Sequence, residues 1–536
     1  MIGVVAPVSE HAVIREFFQL FKTAWEFFEH GRDYDVVLCS GCPPIETSAR
    51  LIVVYAGRDA FSATEKIKPS EGSVVLCSSQ GDRIPIYGSC LAFPDSRNPL
   101  LMVERDGSAA SLETRSREQQ VVWLGYGLFY EIEFLLTDGQ PACHARIPTL
   151  ELHIKLLRHL IVSASVPLAE IPPVPAGYKF IACLTHDVDH PCFRNHFLDG
   201  TAFGFLYRAT AGSLVDMFRG RRTVKQMLLN WCAALSTPLV YLRLRSDIWR
   251  SFIRYTEMEG KSSSTFFVIP KRNDSGVALG ARKAPRRAAK YNAMELSEEL
   301  RFLGAAGCEI GVHGIDAWHD TTAGREELEA IASITGATEL GVRMHWLYFA
   351  HSSPATLEQA GFSYDSSLGY NETVGYRSGT VQVYKPLSTA RMLQLPLHIM
   401  DTALFYPDRL DLSPEKASQV ADELIANATR LGGVLTINWH DRSIAPERLW
   451  DDFYKTLLAT LKDQGAWITS ARNAVAWFRK RREAVFQEGS ESSRDAGETC
   501  RCEETDGLPG LDRSFYNRAP VGRDSTNVGL EAAISA

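Results

Sequence analysis

The stretch that decides the fold is Leu184-Thr185-His186-Asp187-Val188-Asp189-His190, which follows an apolar run that begins at Phe180. Side chains alternate between the two faces of a strand, so Asp187 and Asp189 lie on one face. Two adjacent carboxylates repel each other unless a cation lies between them or one is protonated. The stretch therefore predicts a metal site or an acid/base pair at a strand end, and the alternative is an Asx-rich turn.

Short apolar runs of this kind recur downstream and alternate with helical stretches. This alternation predicts parallel strands with crossover helices, and about eight such units fit a barrel better than an open sheet. The predicted strands are 180–184, 265–269, 309–312, 341–344, 362–364, 393–397, 434–437 and 467–469.

The chain of 536 residues is long enough for several domains, and a cluster of prolines places a boundary near residue 175. Residues 1–175 are predicted to form a smaller α/β domain, and residues 176–482 the barrel, with a helical insertion at about 190–258. Within the first domain we expect strands at 34–39 and 51–56. The expected helices of that domain are 10–30, about 117–136 and 149–163.

Residues 483–536 hold 5 Arg and 11 Asp or Glu, so most of the net charge of −7 lies there. This segment has few large apolar residues, and we expect an acidic, disordered tail. The remaining 52 basic and 53 acidic residues nearly balance. We therefore expect no nucleic-acid partner.

The eleven cysteines do not form a disulfide pattern, and the Cys39/Cys42 pair lacks the second half of a zinc knuckle. The N-terminal segment has no basic region of a secretory signal, and no uncharged apolar run is long enough to cross a bilayer. We therefore expect a soluble cytoplasmic protein. The insertion contains Arg219, Arg221 and Arg222. It can be interpreted either as a helical subdomain packed on the barrel or as a helix that lies on a membrane surface.

Histidines follow two later predicted strands. His313 ends one, Gly314 permits a turn, and His319 comes six residues after His313. With Asp189 these would make a His/His/carboxylate set that leaves coordination positions open. His440 ends a later strand, at the rim where a parallel barrel carries its active site.

The order of these motifs resembles the polysaccharide deacetylase family (carbohydrate esterase family 4, the NodB-homology domain), across about residues 178–480. The resemblance implies an α/β fold with a distorted barrel and gives Asp187 the role of catalytic base and Asp189 that of metal ligand. It also implies His313 and His319 as metal ligands, Arg343 as the residue that holds the base, and His440 as general acid. The family spacing points to residue 317, which is alanine here, so Asp316 is the alternative to His319.

The implied function is a hydrolase that uses a divalent metal, zinc first, to remove N- or O-acetyl groups from a sugar or polysaccharide in cell-surface metabolism. Its expected substrate partner is an N-acetylated sugar, and its expected place is the cytoplasm, at the inner face of the membrane. The alternatives are a hydrolase of cyclic amides or ureides on the same barrel and a catalytically silent carbohydrate-binding or scaffold protein. Six aromatic residues near the predicted rim could stack on a sugar or pack in the core: Trp318, Trp346, Tyr348, Tyr370, Tyr376 and Trp439.

Overall fold

The computed structural model describes residues 1–41, 45–56, 66–67, 75–79, 81–116, 118–260, 264–279, 287–486 and 507–517. Two sheets organise this part of the chain. The strands of the first 175 residues are β1 Ile2–Val5, β2 Trp25–Phe27, β3 Val36–Ser40, β4 Leu51–Tyr55, β5 Lys66–Ile67, β6 Val75–Ser79, β7 Asp82–Ile86, β8 Cys90–Leu91, β9 Met102–Val103, β10 Ser111–Arg115, β11 Gln120–Leu124 and β12 Leu168–Glu170. The helices there are α1 His11–Phe21, α2 Leu128–Thr137 and α3 Thr149–Ser163.

The N-terminal sheet has the order β10-β11-β4-β3-β1-β2, and all its pairs are parallel except β10–β11. The predicted helix over 10–30 is shorter in the structure, because Lys22 adopts a left-handed conformation (φ 47°) and ends α1. The residues that follow form β2. The helix predicted over about 117–136 is likewise wrong in its first part, since β11 pairs with β4 and only α2 is helical. The predicted helix 149–163 coincides with α3.

The second sheet contains the strands β13 Phe180–Val188, β14 Ser264–Val268, β15 Glu309–Gly314, β16 Gly341–Met344, β17 Tyr364–Asp365, β18 Leu393–Gln394, β19 Ile399–Met400, β20 Val434–Asn438 and β21 Ala466–Thr469. Their order is β18-β17-β16-β15-β14-β13-β20-β19, with β21 also paired to β13, and every pair is parallel. The two ends of this order, β18 and β19, are only four residues apart in sequence. The sheet therefore curls into the distorted α/β barrel expected from the sequence.

Helices cover the outside of the curled sheet and close its core. They are α8 Ser297–Ala305, α9 Thr321–Thr335, α10 Ser353–Ala360, α11 Asp401–Phe405, α12 Pro414–Leu431, α13 Asp451–Asp463 and α14 Ala471–Glu483. Strand β13 is buried along its whole length, as a strand covered on both faces must be. Parallel strands end at a common edge, and this edge carries the polar residues discussed below.

The segment between β13 and β14 contains the helices α4 Gly200–Tyr207, α5 Ser213–Phe218, α6 Val224–Tyr241 and α7 Phe252–Glu259. A π-helical turn, Arg208–Gly212, joins the first two. Their own small core includes Phe193, Phe205 and Trp249. Among the described helices, none combines the length and the apolar composition needed to cross a bilayer.

Part of the segment predicted as a tail is ordered against the body. Strand β22 Ser514–Tyr516 pairs antiparallel with β12. Residues 487–506 and 518–536 of the predicted tail lie outside the described residues. The end of α14 also contacts the N-terminal domain, where Arg482 forms a bidentate ion pair with Glu16 and the guanidinium of Arg481 donates to the carbonyls of Gln19 and Leu20.

Glu131 makes the stability of the N-terminal domain depend on pH. Its carboxylate accepts hydrogen bonds from the backbone N–H groups of Tyr87 and Gly88, both at 2.8 Å, but burial raises its pKa from 4.5 to about 7. Between these values the folded state binds more protons than the unfolded state, so stability falls as pH rises.

Between pH 5 and pH 8 the unfolding free energy of the wild type should decrease. We expect this decrease to be smaller in Glu131→Gln, by up to about 3 kcal/mol, because the titrating group is gone. Urea unfolding at several pH values measures this decrease. The matched control is Glu133→Gln, an exposed position on the same helix, which should keep the wild-type slope. An unchanged slope in Glu131→Gln would contradict the assignment.

Candidate active site

The curled sheet gathers four polar residues from three strand ends at one edge. Asp187 and Asp189 end β13, His313 lies in β15, and His440 follows β20. The Nε2 atom of His313 lies 3.3 Å from Oδ1 of Asp189 and 3.9 Å from Oδ2 of Asp187. The structure thus brings these residues, which are far apart in sequence, into one cluster.

Asp187 is held by two side-chain donors. Nη1 of Arg343 donates to its Oδ1 at 3.0 Å, and Nδ2 of Asn438 donates to its Oδ2 at 2.7 Å. Burial acts to raise the pKa of Asp187, but Arg343 and the nearby histidines outweigh it and lower that pKa below its usual value. Asp187 is therefore a carboxylate at neutral pH.

Arg343 is itself fully buried and fixed. It also donates to the Thr185 hydroxyl at 2.7 Å, and to the carbonyl and hydroxyl oxygens of Ser366 at 3.1 and 2.8 Å. Its guanidinium lies over the ring of Phe267, 4.6 Å from the centroid. These contacts leave the guanidinium little freedom, so its distance to Asp187 is well defined.

Three side chains offer ligand atoms within 4.8 Å of one another: Asp189, His313 and His345. Nε2 of His345 lies 3.6 Å from Oδ1 of Asp189. That oxygen is buried, and no described residue donates a hydrogen bond to it. A buried carboxylate oxygen without a donor is costly, and two imidazole nitrogens with one carboxylate are ligands that zinc takes. The donor set therefore fits a divalent metal ion.

The protonation of this group also suits metal binding. Nδ1 of His313 donates to the carbonyl of Arg343 at 2.9 Å, which leaves Nε2 with a free lone pair towards Asp189. Burial lowers the pKa of His345 to about 3, so its imidazole is neutral.

His319, the third ligand expected from the sequence, lies outside this group. The chain turns after β15, and the N–H of His319 donates to the carbonyl of Asp316. The turn places Nε2 of His319 3.4 Å from Oδ1 of Asp316, with the side chain 30 % exposed. Asp316 instead fixes a neighbouring loop, because its Oδ1 accepts from the N–H of Val277. The group contains His345 where the sequence analysis expected His319, with Asp316 as alternative.

The sequence carried a signal for His345. It comes two residues after Arg343 at the end of β16, and the period of a strand puts alternate residues on one face. The same period had identified Asp187 and Asp189. A second residue that sequence reasoning missed is Asp401, the first residue of α11, for which no motif exists.

His440 faces the two aspartates. Its Nε2 lies 4.0 Å from Oδ2 of Asp187 and 3.9 Å from Oδ2 of Asp189, and its Nδ1 donates to Oδ1 of Asp401 at 2.6 Å. Burial acts to lower the pKa of His440, but Asp401 and the two aspartates raise it to about 10. The imidazole is therefore protonated at neutral pH and can act as an acid.

These residues line a cavity of about 380 Å³. Of the six aromatic residues considered from sequence, Trp346 and Tyr348 line it, while Trp318, Tyr370, Tyr376 and Trp439 are buried. Trp346 is 40 % exposed and has a left-handed backbone (φ 65°), a conformation that costs a non-glycine residue roughly 1–2 kcal/mol. The indole is thus held at the cavity mouth by strained backbone.

No protein-family model matches this chain, and no curated protein sequence matches it. Solved structures do match. One is described as a polysaccharide deacetylase from Mycobacterium smegmatis, with 18 % identity, a TM-score of 0.36, and coverage of 60 % of this chain and 100 % of that one.

A second solved structure, described as a polysaccharide deacetylase from Pseudomonas aeruginosa PAO1, has 16 % identity, a TM-score of 0.36, and coverage of 61 % of this chain and 99 % of that one. A third is the Xyl-CE4 domain of a multidomain xylanase from the hindgut metagenome of Trinervitermes trinervoides, with 12 % identity, a TM-score of 0.24, and coverage of 56 % and 90 %. Their descriptions are those of the family that the four motifs resemble.

The geometry predicts which histidine matters for metal binding. We expect His345→Ala to weaken the affinity for zinc at least 100-fold, because one of three ligands is lost, and His319→Ala to change it less than 3-fold. Titration of metal-stripped protein with zinc and a competing chelator measures both. The reverse ordering would return the ligand role to His319.

Proposed function

We propose that this protein is a metal-dependent hydrolase that removes acetyl groups, N-acetyl first, from a carbohydrate in cell-surface polysaccharide metabolism. One observation carries the proposal. A carboxylate base (Asp187) and a protonated imidazole (His440), whose Oδ2 and Nε2 atoms lie 4.0 Å apart, both adjoin a group that can hold a divalent metal. A protein that only bound carbohydrate would need neither an acid nor a base at this place.

Asp189, His313 and His345 would hold the metal ion, with zinc the first choice for two nitrogens and one oxygen. Such an ion polarises a carbonyl group and makes water more acidic. Asp187 then accepts the proton of the attacking water. Arg343 and Asn438 orient its carboxylate and keep it ionised before the reaction.

His440 supplies the proton for the leaving group. Water oxygen forms a bond to the acetyl carbon, the C–N bond breaks, and the amine leaves with the proton from Nε2 of His440 while acetate is released. An amide needs this proton because an amide anion is a very poor leaving group. Asp401 keeps the imidazole protonated and fixes its orientation, since it accepts from both Nδ1 and the backbone N–H of His440. Because an amine leaving group needs the proton that His440 provides, we expect N-acetyl substrates to be preferred over O-acetyl substrates.

Asp187→Asn tests the mechanism. We expect it to retain metal binding but to lose about 100- to 10,000-fold in kcat, because the proton acceptor is gone while the three ligands stay. The assay is acetate release from N-acetylated sugars, with metal content measured on the same sample. Near-normal turnover would contradict the assigned base, and absence of acetate release from a broad panel in the wild type would favour the silent-binder alternative.

We further propose that the insertion contacts an anionic membrane. Fourteen of the 26 large hydrophobic residues that are exposed in the described part lie within residues 197–244, Phe218 and Leu235 among the most exposed. Single exposed apolar residues are ordinary, but a concentration of this kind marks an interaction surface. Residues 197–245 hold seven Lys or Arg against two Asp, which favours an anionic bilayer and supports a location at the inner face of the membrane.

Flotation with liposomes tests this contact. We expect the protein to float with vesicles that contain 30 % phosphatidylserine and to remain at the bottom after Phe218→Ser with Leu235→Ser, because the inserted apolar area is lost. Phe302→Ser on α8, an exposed aromatic residue outside the insertion, is the matched control and should float like the wild type. Equal flotation of all three proteins would exclude the insertion as the contact surface.

A further inference from the structure

The cavity has a cationic side that the hydrolytic residues do not use. Arg409, Arg442 and Arg448 line it, and we call these three residues the arginine wall. Arg442 and Arg448 belong to the loop after His440, and Arg409 to the loop after α11.

Arg442 lacks the partners that a buried guanidinium normally has. It is 7 % exposed, and neither its Nε nor its Nη1 has a hydrogen-bond partner among the described residues. The carboxylate of Glu447 lies 3.6 Å from Nε, and the guanidinium covers the ring of Trp249 at 4.6 Å. Buried polar groups are nearly always paired, so an unpaired one indicates a missing ligand or a functional role.

Further positive charge surrounds this residue. Arg208 from the insertion is partly buried, and burial followed by repulsion from Arg442 and Arg448 lowers its pKa to about 10. Burial acts to raise the pKa of Tyr406, but Arg448 and Arg442 outweigh it and lower that pKa. Glu447 offsets one of these charges. Burial raises the pKa of the neighbouring Asp441 to about 7, so this carboxyl group is only partly ionised at neutral pH.

The carboxylates of the proposed hydrolytic site do not neutralise the arginine wall, because each already has another partner. Asp187 is already paired with Arg343, and Asp401 with His440. Asp189 faces His313 and His345.

Within the wall, Oδ2 of Asp408 lies 4.0 Å from Nε of Arg409, and Arg448 donates to the hydroxyl groups of Ser443 and Tyr406. Glu447 and Asp408 thus offset part of the positive charge, and Nε and Nη1 of Arg442 are the donors that remain for a ligand.

We infer that the arginine wall binds a phosphate group carried by the same molecule as the acetamido sugar. This inference rests on the proposed function and names the substrate class. Phosphate presents two negative charges and several acceptor oxygens, which suits three guanidinium groups that line one cavity better than the single charge of a carboxylate. A cavity of about 380 Å³ accommodates one sugar ring with its phosphate. A soluble sugar phosphate and a lipid-linked sugar diphosphate present the same chemistry.

Three probes test the inference on metal-loaded protein: N-acetylglucosamine, N-acetylglucosamine 1-phosphate, and N-acetylglucosamine linked through diphosphate to a short polyprenyl chain. Calorimetry measures binding and acetate release measures turnover. We expect the two phosphorylated probes to bind at least 10-fold more tightly than the neutral sugar. Better turnover of the polyprenyl probe than of the soluble one would identify a lipid-linked source, and the opposite result a soluble source.

Variants locate the phosphate. Arg442→Gln should lower the preference for phosphorylated over neutral sugar about 10-fold, and Arg409→Gln, at a partly exposed position where misfolding is no concern, about 3-fold or more. Arg301→Gln, an exposed position on α8 that does not line the cavity, is the matched control and should keep the wild-type preference. An unchanged preference in both wall variants would overturn the inference and place the phosphate on the metal.

The two proposals fail in different ways. If no probe releases acetate but the phosphorylated sugars still bind more tightly, and lose that advantage in the wall variants, the inference stands without the hydrolase function. If all probes release acetate with equal kcat/KM and bind equally, the hydrolase function stands and the phosphate site is excluded.

Discussion

The ion pair between Arg343 and Asp187 is the contact on which the arrangement of the site depends. It joins β16 to β13 across the interior of the curled sheet, and Ser366 after β17 accepts two further hydrogen bonds from the same guanidinium. Taking one partner away from a buried pair typically costs about 3–5 kcal/mol, because the other charge is left uncompensated. The pair therefore fixes three strand ends relative to one another, and the contact that positions Asp187 also helps to lower its pKa against the effect of burial.

This constraint explains why so many charges can be buried at one edge. Asp187, Asp189 and Asp401 lie within one small region, and their carboxylates would repel one another in the absence of partners. Each is offset by a different group: a guanidinium, two imidazoles that can share a metal ion, and the imidazolium of His440. The pKa of Asp187 falls while that of His440 rises to about 10. Titratable neighbours whose pKa values are pushed apart in this way are what acid/base chemistry at neutral pH requires.

Much of this arrangement could be predicted from the sequence, because each buried parallel strand is a short apolar run that ends where polar residues begin. The apolar runs at 180–184, 309–312 and 434–437 lie within β13, β15 and β20, so Asp187, His313 and His440 could be placed at one rim. His319 and helix 10–30 could not be judged in this way. The first depends on the path of a turn stabilised by backbone hydrogen bonds to Asp316, and the second on one left-handed residue, Lys22. The periodicity of apolar residues predicts neither the turn before His319 nor the left-handed conformation of Lys22, because each is a local backbone conformation.

The N-terminal domain contributes to the site through the loop that follows β17. Ser366 and Ser367 of that loop accept from Arg343 and from the backbone of Met344, and Leu368, next in sequence, packs in the core of the N-terminal domain. Two residues further on, the hydroxyl of Tyr370 donates to the carbonyl of Gln140, whose own N–H donates to Arg377. Contacts with the first domain thus help to position the loop that holds Arg343. Every proposed catalytic and metal-binding side chain comes from the barrel, but the loop next to the proposed base also packs on the first domain.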